Sequence, residues 1–206
     1  ARFGVGFIRI ADSDNLDITN LQRQILYNEE DLKKDASKIK IAASKLKKIN
    51  SDVTVEAIDI RINEENINSF IEDIDILLDG TDNFESRFMI NKSCVVKGIP
   101  WIFGSVAASY GMVFDIIPHK TPCFNCIFGQ GRLIDYAENS SNVGILNSAV
   151  NVIASIQTTE AIKYLTGNHS VLIKELVVVD LWDFTLDKIS IKADRNCSVC
   201  GQILNG

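Results

Sequence analysis

The 206-residue chain has no apolar run that reaches the ~18 residues a membrane-spanning helix requires. It opens with no basic segment leading into an apolar core, so no secretory signal is legible. No membrane partner and a cytoplasmic setting are therefore expected. Positive charge is the minority sign: 21 Lys and Arg face 27 Asp and Glu, for a formal net charge of −6. That balance argues against a nucleic-acid partner. Histidine is scarce. The two present, His119 and His169, are isolated and carry no assigned role. Cysteine is missing between Cys126 and Cys197, and four of the five that exist form two close pairs. In a reducing compartment such pairs favour a metal over disulfides. What remains is ordinary for a soluble globular protein, 46% hydrophobic and 23% charged. A chain of this length buries roughly 70% of its unfolded surface and makes one domain, or one with an appendage.

Hydrophobic patterning sets out the elements. Phe7–Ala11 reads as a strand, residues 37–49 as a helix, 53–58 as a strand and 64–71 as a short helix. Residues 74–78 form an apolar run fit for a buried parallel strand, and 84–97 a helix. Strands over 101–106 and 110–117 follow, with the chain turning antiparallel from Tyr110. A helix spans 149–165, ended by Gly167 as its C′ glycine, and strands over 171–179 and 184–191 close a hairpin. Strands alternating with helices at this pace predict an α/β fold: a doubly wound, mostly parallel, Rossmann-like sheet that continues into antiparallel strands. Seven lysines fall between 33 and 48. With an acidic chain around them they read as the solvated face of the helix.

Three stretches carry chemistry. The first is D-S-D-N-L-D-I-T-N-L-Q-R-Q over 12–24. Asp12 directly follows a strand, where a carboxylate can accept ribose hydroxyls. Arg23 offers a planar fork to phosphate, and Asn20 both donates and accepts. Plain turn chemistry also places Asp, Asn and Thr after strands. The second is Asp79-Gly80-Thr81-Asp82-Asn83, which ends a strand and opens a helix. Thr81 or Asp82 is an N-cap on one reading. On the other, Asp82 is a ligand group at the carboxyl edge of the sheet. Arg87 reads as structural, and Cys94 as a small hydrophobe packed mid-helix. The third is C-x-x-C at Cys123 and Cys126 with C-x-x-C at Cys197 and Cys200, the pattern of a closed four-thiolate zinc knuckle. Such a site holds Zn2+ structurally and ties the tail back across roughly 70 residues; a disulfide or redox pair is the rival.

The 12–24 motif, Thr81-Asp82-Asn83, the two cysteine pairs and A-S-I-Q-T-T-E-A-I-K over 154–163 occur together and in this order. The chain thereby resembles the ThiF/MoeB/HesA family, bacterial relatives of ubiquitin-activating enzymes. The resemblance implies an ATP-dependent adenylyltransferase that activates the C-terminal glycine of a small ubiquitin-like sulfur carrier with a Gly-Gly tail. Thiamine or molybdopterin biosynthesis is the implied setting, and a homodimer the implied assembly. It assigns Asp12 to the ribose, Asn20 to a polar edge of the nucleotide, Arg23 and Lys38 to phosphate charge and Asp82 to Mg2+ and the adenylate. It also implies a nucleotide-binding part over 1–118, followed over 119–206 by the zinc knuckle, a crossover loop and the carrier-binding part. Three departures stand out. The strand and G-x-G-x-x-G turn expected ahead of Asp12 are not in the 206 residues, so the first βα unit is expected to lie outside them. Lys38 lacks the glycine and proline of the family's G-x-P-K motif. The cysteine that some members carry in the crossover loop is matched by Ser140, whose hydroxyl is not ionised at neutral pH without a base and cannot form a persulfide. A carrier-binding pseudoenzyme, or a member adenylating a peptide or a tRNA, are the alternatives.

Overall fold

The computed structural model describes residues 1–129 and 144–201. The chain divides into two compact units, Ala1–Ile62 and Asn63–Gly206. Of the crossover loop expected between Gly129 and Asn147, residues 130–143, Ser140 included, lie outside the described residues.

The first unit is a strand–helix–strand repeat. Strand β1 (Phe7–Ala11) pairs in parallel with β2 (Thr54–Ile58), Phe7 opposite Thr54 and Ala11 opposite Ile58. Helix α1 (Lys38–Ile49) connects them and buries Ile39, Ile41 and Ala42. Lys40, Lys47 and Lys48 point to water, as the charge pattern of that helix demands. Two exceptions belong to the lysines: Lys38 is buried, and Lys45 reaches Asp31. The acidic stretch before α1 does form a helical turn, Asp31–Lys33. Asp31 is 1% exposed, takes Lys34 Nζ at 2.5 Å and the Lys45 ammonium, and accepts the Asn28 N–H at 2.9 Å. A buried carboxylate is tolerable only with such partners, and these anchor the long β1–α1 loop at its midpoint.

The second unit runs α2 (Ile67–Phe70), β3 (Leu77–Leu78), α3 (Phe84–Lys97), β4 (Trp101–Ala107), β5 (Tyr110–Ile116), α4 (Phe124–Phe128), α5 (Asn147–Leu165), β6 (Leu176–Asp180) and β7 (Thr185–Ile189). Its sheet has the order β3-β4-β5-β6-β7. The β3–β4 pair is parallel and every later pair antiparallel, so the expected change of direction occurs at β5. Ile102, Val113, Ile153, Val177 and Val179 form a core cluster between α5 and the sheet. The helix approaches so closely that a Cβ on Gly104 would collide with the Gln157 amide, and one on Gly111 with the Ile153 side chain. Gly167, at φ +79°, ends α5: its N–H meets Tyr164 O at 3.0 Å and that of Asn168 meets Lys163 O at 2.8 Å, the Schellman arrangement of a C′ glycine. Phe84 and Phe88 of α3, Trp101 and Phe103 of β4, and Phe124 and Phe128 of α4 make a second core of tilted and edge-on rings, with centroids 4.6–6.2 Å apart. Truncating a buried ring such as Phe124 would cost about 3–5 kcal/mol.

Two strand expectations are corrected. Of residues 74–78 only Leu77–Leu78 joins the ladder. The strand expected from 171 begins at Leu176. Residues His169–Val171 form a helical turn, and the Ile173 N–H goes to carboxylates instead of a ladder partner, 3.1 Å to Asp115 and 3.0 Å to Glu160. Among the described residues no helix is long and apolar enough to cross a membrane.

Candidate active site

In the first unit, the structure joins Asp12 and Lys38, which the sequence separates by 26 positions (38 − 12). Asp12 leaves the end of β1, Lys38 opens α1, and Lys38 Nζ lies 2.6 Å from Asp12 Oδ2. The Asp12 side chain keeps 27% exposure and that of Lys38 8%. Asp12 Oδ1 accepts the Asp14 N–H at 2.9 Å, shaping the loop as an Asx turn. An ammonium has three donors, so its pairing with Asp12 leaves Lys38 able to meet an anion as well. Tyr27 lies against this pair. Its hydroxyl donates to Lys38 O at 3.3 Å. Burial first, then the charges of Asp12 and Asp31, push its ionisation up to about 12, so it stays a neutral donor.

The other two predicted residues of this unit occupy the loop between Asp12 and Lys38. Asn20 closes a capping box on the turn Ile18–Asn20: its Oδ1 accepts the Asp17 N–H at 3.2 Å while Asp17 Oδ1 accepts the Thr19 N–H at 2.8 Å. Arg23 Nη1 folds back to Thr19 O at 3.0 Å. Both side chains therefore help hold their own loop, and the plain turn reading accounts for part of what they do. A polar cavity of about 440 Å³ opens beside the start of α1, lined in part by Asn15, Asp31, Lys34, Ser37 and Lys40. The Ser37 hydroxyl is buried without a hydrogen-bond partner there.

In the second unit, the segment after β3 removes the capping reading of Asp82. The helix N-cap is Asn83, whose Oδ1 accepts the Ser86 N–H at 2.8 Å. Asp82 is exposed and is relieved of capping; its Oδ1 takes only a 3.2 Å contact from Asn83 Nδ2 among the bonds found. Just before it, Asp79 is sealed in at 0% side-chain exposure, its Oδ2 3.2 Å from Arg87 Nε. Thr81 donates to Asp79 Oδ1 from its N–H at 2.8 Å and its hydroxyl at 2.7 Å. Burial pushes the Asp79 carboxyl up, while Arg87 and Thr81 pull it back. Arg87 also donates to Thr81 O at 2.6 Å. The structural reading of Arg87 holds, but the sequence did not single out Asp79 or Gln157. Gln157 Nε2 donates to Asp79 O and Ile102 O, both at 3.0 Å. The signal was available: a glutamine on the apolar stripe of α5, one turn after Ile153, has to satisfy its amide inside the core.

The four cysteines converge in this same unit. Their sulfurs all lie within 4.8 Å of one another, at 4.0 Å for Cys123–Cys126, 3.6 Å for Cys123–Cys197 and 3.4 Å for Cys126–Cys200. No pair is near the ~2.05 Å of a disulfide. A tetrahedral ion with metal–sulfur bonds of about 2.3 Å requires sulfurs roughly 3.8 Å apart, so the donor set fits a four-thiolate metal and leaves no coordination place for water. The Asp194 N–H supports Cys126 Sγ from outside at 3.4 Å. The thiol bond from Cys123 draws Cys126 down to about 5, and the same bond with burial drives Cys123 upward. Ionising every thiol at once calls for a cation among them. Phe124, between the first two thiols, donates its N–H to Asn91 Oδ1 at 2.9 Å, which fastens the knuckle to α3. Cys94, fully buried, has its thiol pushed up to about 12 by burial alone and packs as a hydrophobe.

Residues 1–199 match the ThiF family. The chain belongs to the ThiF family. Among curated ThiF-like relatives, the sulfur carrier protein ThiS adenylyltransferase of Bacillus subtilis (strain 168) is 39% identical over 97% of this chain and 59% of its own length. A probable molybdopterin-synthase adenylyltransferase of Gracilaria tenuistipitata var. liui is 32% identical over 97% of this chain and 55% of its own. Among solved structures, E. coli MccB with ATP superposes with a TM-score of 0.82 at 24% identity, over 96% of this chain and 60% of MccB, a likeness of fold. The chain thus spans little more than half the length of these relatives.

Proposed function

We propose that the protein is an ATP-dependent adenylyltransferase acting on the C-terminal carboxylate of a small ubiquitin-like sulfur carrier with a Gly-Gly tail. The observation that carries this reading is the Lys38–Asp12 pair at the end of β1, in a chain whose ThiF match spans residues 1–199. The names of the Bacillus and Gracilaria relatives support the same activity. Thiamine or molybdopterin cofactor biosynthesis is the setting these names favour; a cytoplasmic location and a homodimer are what the family resemblance implies.

In this reaction a carrier carboxylate oxygen forms a bond to the α-phosphorus of ATP. The bond from that phosphorus to the bridging oxygen breaks, and pyrophosphate leaves with the electron pair. The nucleophile is already anionic at neutral pH, so no general base is required. The work left to the protein is positioning and charge neutralisation. Asp12 accepts the ribose hydroxyls, Asn20 meets a polar edge of the nucleotide, and Lys38 and Arg23 balance phosphate charge. Asp82, exposed and free of the capping role, would hold Mg2+, which would supply charge screening for the phosphate oxygens. Cys123, Cys126, Cys197 and Cys200 hold Zn2+ as a structural tie, away from proton or group transfer.

ATP–pyrophosphate exchange tests the proposal. With the intact protein, exchange should require a carrier ending in Gly-Gly, and Asp82→Ala should abolish it. A normal rate in that variant would remove Asp82 from the site. Carrier binding with no exchange would point to a pseudoenzyme, and exchange driven by a peptide or a tRNA would replace the carrier as substrate.

A further inference from the structure

The segment carrying Asp82 is held far more rigidly than an exposed ligand loop requires. Arg87 is 6% exposed and reaches three separate places: Asp79 Oδ2 at 3.2 Å, Thr81 O at 2.6 Å and Gly104 O at 3.4 Å. Its guanidinium also lies over Phe84 and Phe103, at 5.9 and 5.5 Å from the ring centroids. Thr81 returns two bonds to Asp79, and Gln157 pins Asp79 O from α5. On the far side of Asp82, Asn83 caps α3. Asp82 therefore stands between two fixed points.

Fold stability alone does not account for this arrangement. A buried ion pair is commonly matched or bettered in stability by apolar residues of similar volume. What apolar residues cannot do is grip a backbone carbonyl and a carboxylate at fixed angles, and a lysine cannot do it from two ring-like directions at once. We propose that Arg87, through Asp79 and Thr81, is a positioning residue that fixes the Asp82 carboxylate for the metal–nucleotide complex. The proposal rests on the role of Asp82 given above. Arg87 itself touches no substrate. It sets where the exposed carboxylate stands, in the way a positioning error of about 1 Å can cost about 100-fold in rate.

The test is Arg87→Lys in the intact protein, read in three ways. Exchange should fall about 10- to 100-fold in kcat, with the Mg2+ concentration for half-maximal exchange raised about tenfold or more. Amide hydrogen exchange at 80–82 should quicken relative to α3. Val177→Ala, in the sheet core, is the control: it should lower stability without moving the Mg2+ dependence. If Arg87→Lys does not fold, Thr81→Val carries the test, since it removes only the hydroxyl bond to Asp79 at a half-buried position; its shift should have the same sign and be smaller. Folded Arg87→Lys or Thr81→Val with the wild-type Mg2+ dependence overturns the inference while Asp82→Ala is inactive. Full exchange in Asp82→Ala overturns instead the role of Asp82, and this inference with it.

Discussion

Asp12 and Asp79 occupy the same place in the two units: each directly follows a strand, β1 in one and β3 in the other, and each is paired with a cation borne by a helix. Their fates differ. The Asp12 side chain is 27% exposed and takes an ammonium; Asp79 is 0% exposed and takes a guanidinium. The first pair stays open to solvent. The second is a strut, and the ligand role proposed for this segment falls three residues on, at the exposed Asp82. An acid after an apolar strand is thus one cue with two outcomes, and solvent access selects between them.

The largest expected effect concerns the proposed zinc, whose four thiols all lie in the second unit. A strong chelator should strip about one zinc per chain from the four thiolates. Amides 123–128 should lose protection, while those of α1 and β2 should keep theirs. Structural zinc is worth on the order of 10 kcal/mol in small domains, so a metal-free protein of unchanged stability would refute the site. Next come the two acids themselves. Asp79→Ala leaves Arg87 buried and unpaired and should cost about 3–5 kcal/mol in urea unfolding. Asp12→Ala, at a half-open pair, should cost under about 1 kcal/mol while removing exchange. Equal costs would erase the distinction between strut and ligand.

A pH profile separates the units in a third way. In the second unit Asp115 is pushed up to about 8, first by burial and then by Glu160 beside it, with Lys163 opposing. Its folded value exceeds its unfolded 3.8, so the folded state binds more protons in between. The stability it contributes is complete below about 4 and is lost as pH rises through about 8, by at most about 1.4 kcal/mol per pH unit. Asp115→Asn should flatten that decline. In the first unit Asp31 runs the other way: burial acts upward, but Lys34 and Lys45 outweigh it and hold the carboxyl at about 2. Its contribution is present above 3.8 and lost as pH falls through about 2. Unfolding followed between pH 3 and pH 9 with a probe in each unit should show the Asp31 loss on the acid side in the first unit and the Asp115 loss in the second as pH rises. A comparably small stability effect belongs to Asn20→Ala, which removes one exposed bond of the capping box and leaves that of Asp17, and should cost about 0.5 kcal/mol.

The helix over Phe84–Lys97, the antiparallel turn at β5, the C′ glycine of α5 and the four-thiolate cluster were all legible in the chain, because periodicity, glycine placement and thiol spacing are local signals. The strand starting at 171 was misplaced for a physical reason: its apolar residues look extended, but the Ile173 N–H is taken by Asp115 and Glu160, partners 58 and 13 positions away. Asn83, not Thr81 or Asp82, became the cap, a choice among three adjacent cap-competent side chains that depends on backbone angles the sequence does not reveal.

Residue types and spacing alone determined the family, the two C-x-x-C pairs and the α/β alternation, since these follow from patterns within reach of one element or one motif. Only the tertiary structure decided which strand-end acid is buried beside an arginine and which is left to solvent, because burial depends on what the far segments of the chain bring against that position. Gln157, 78 residues from Asp79, settles the matter by contact, and no local pattern encodes that meeting.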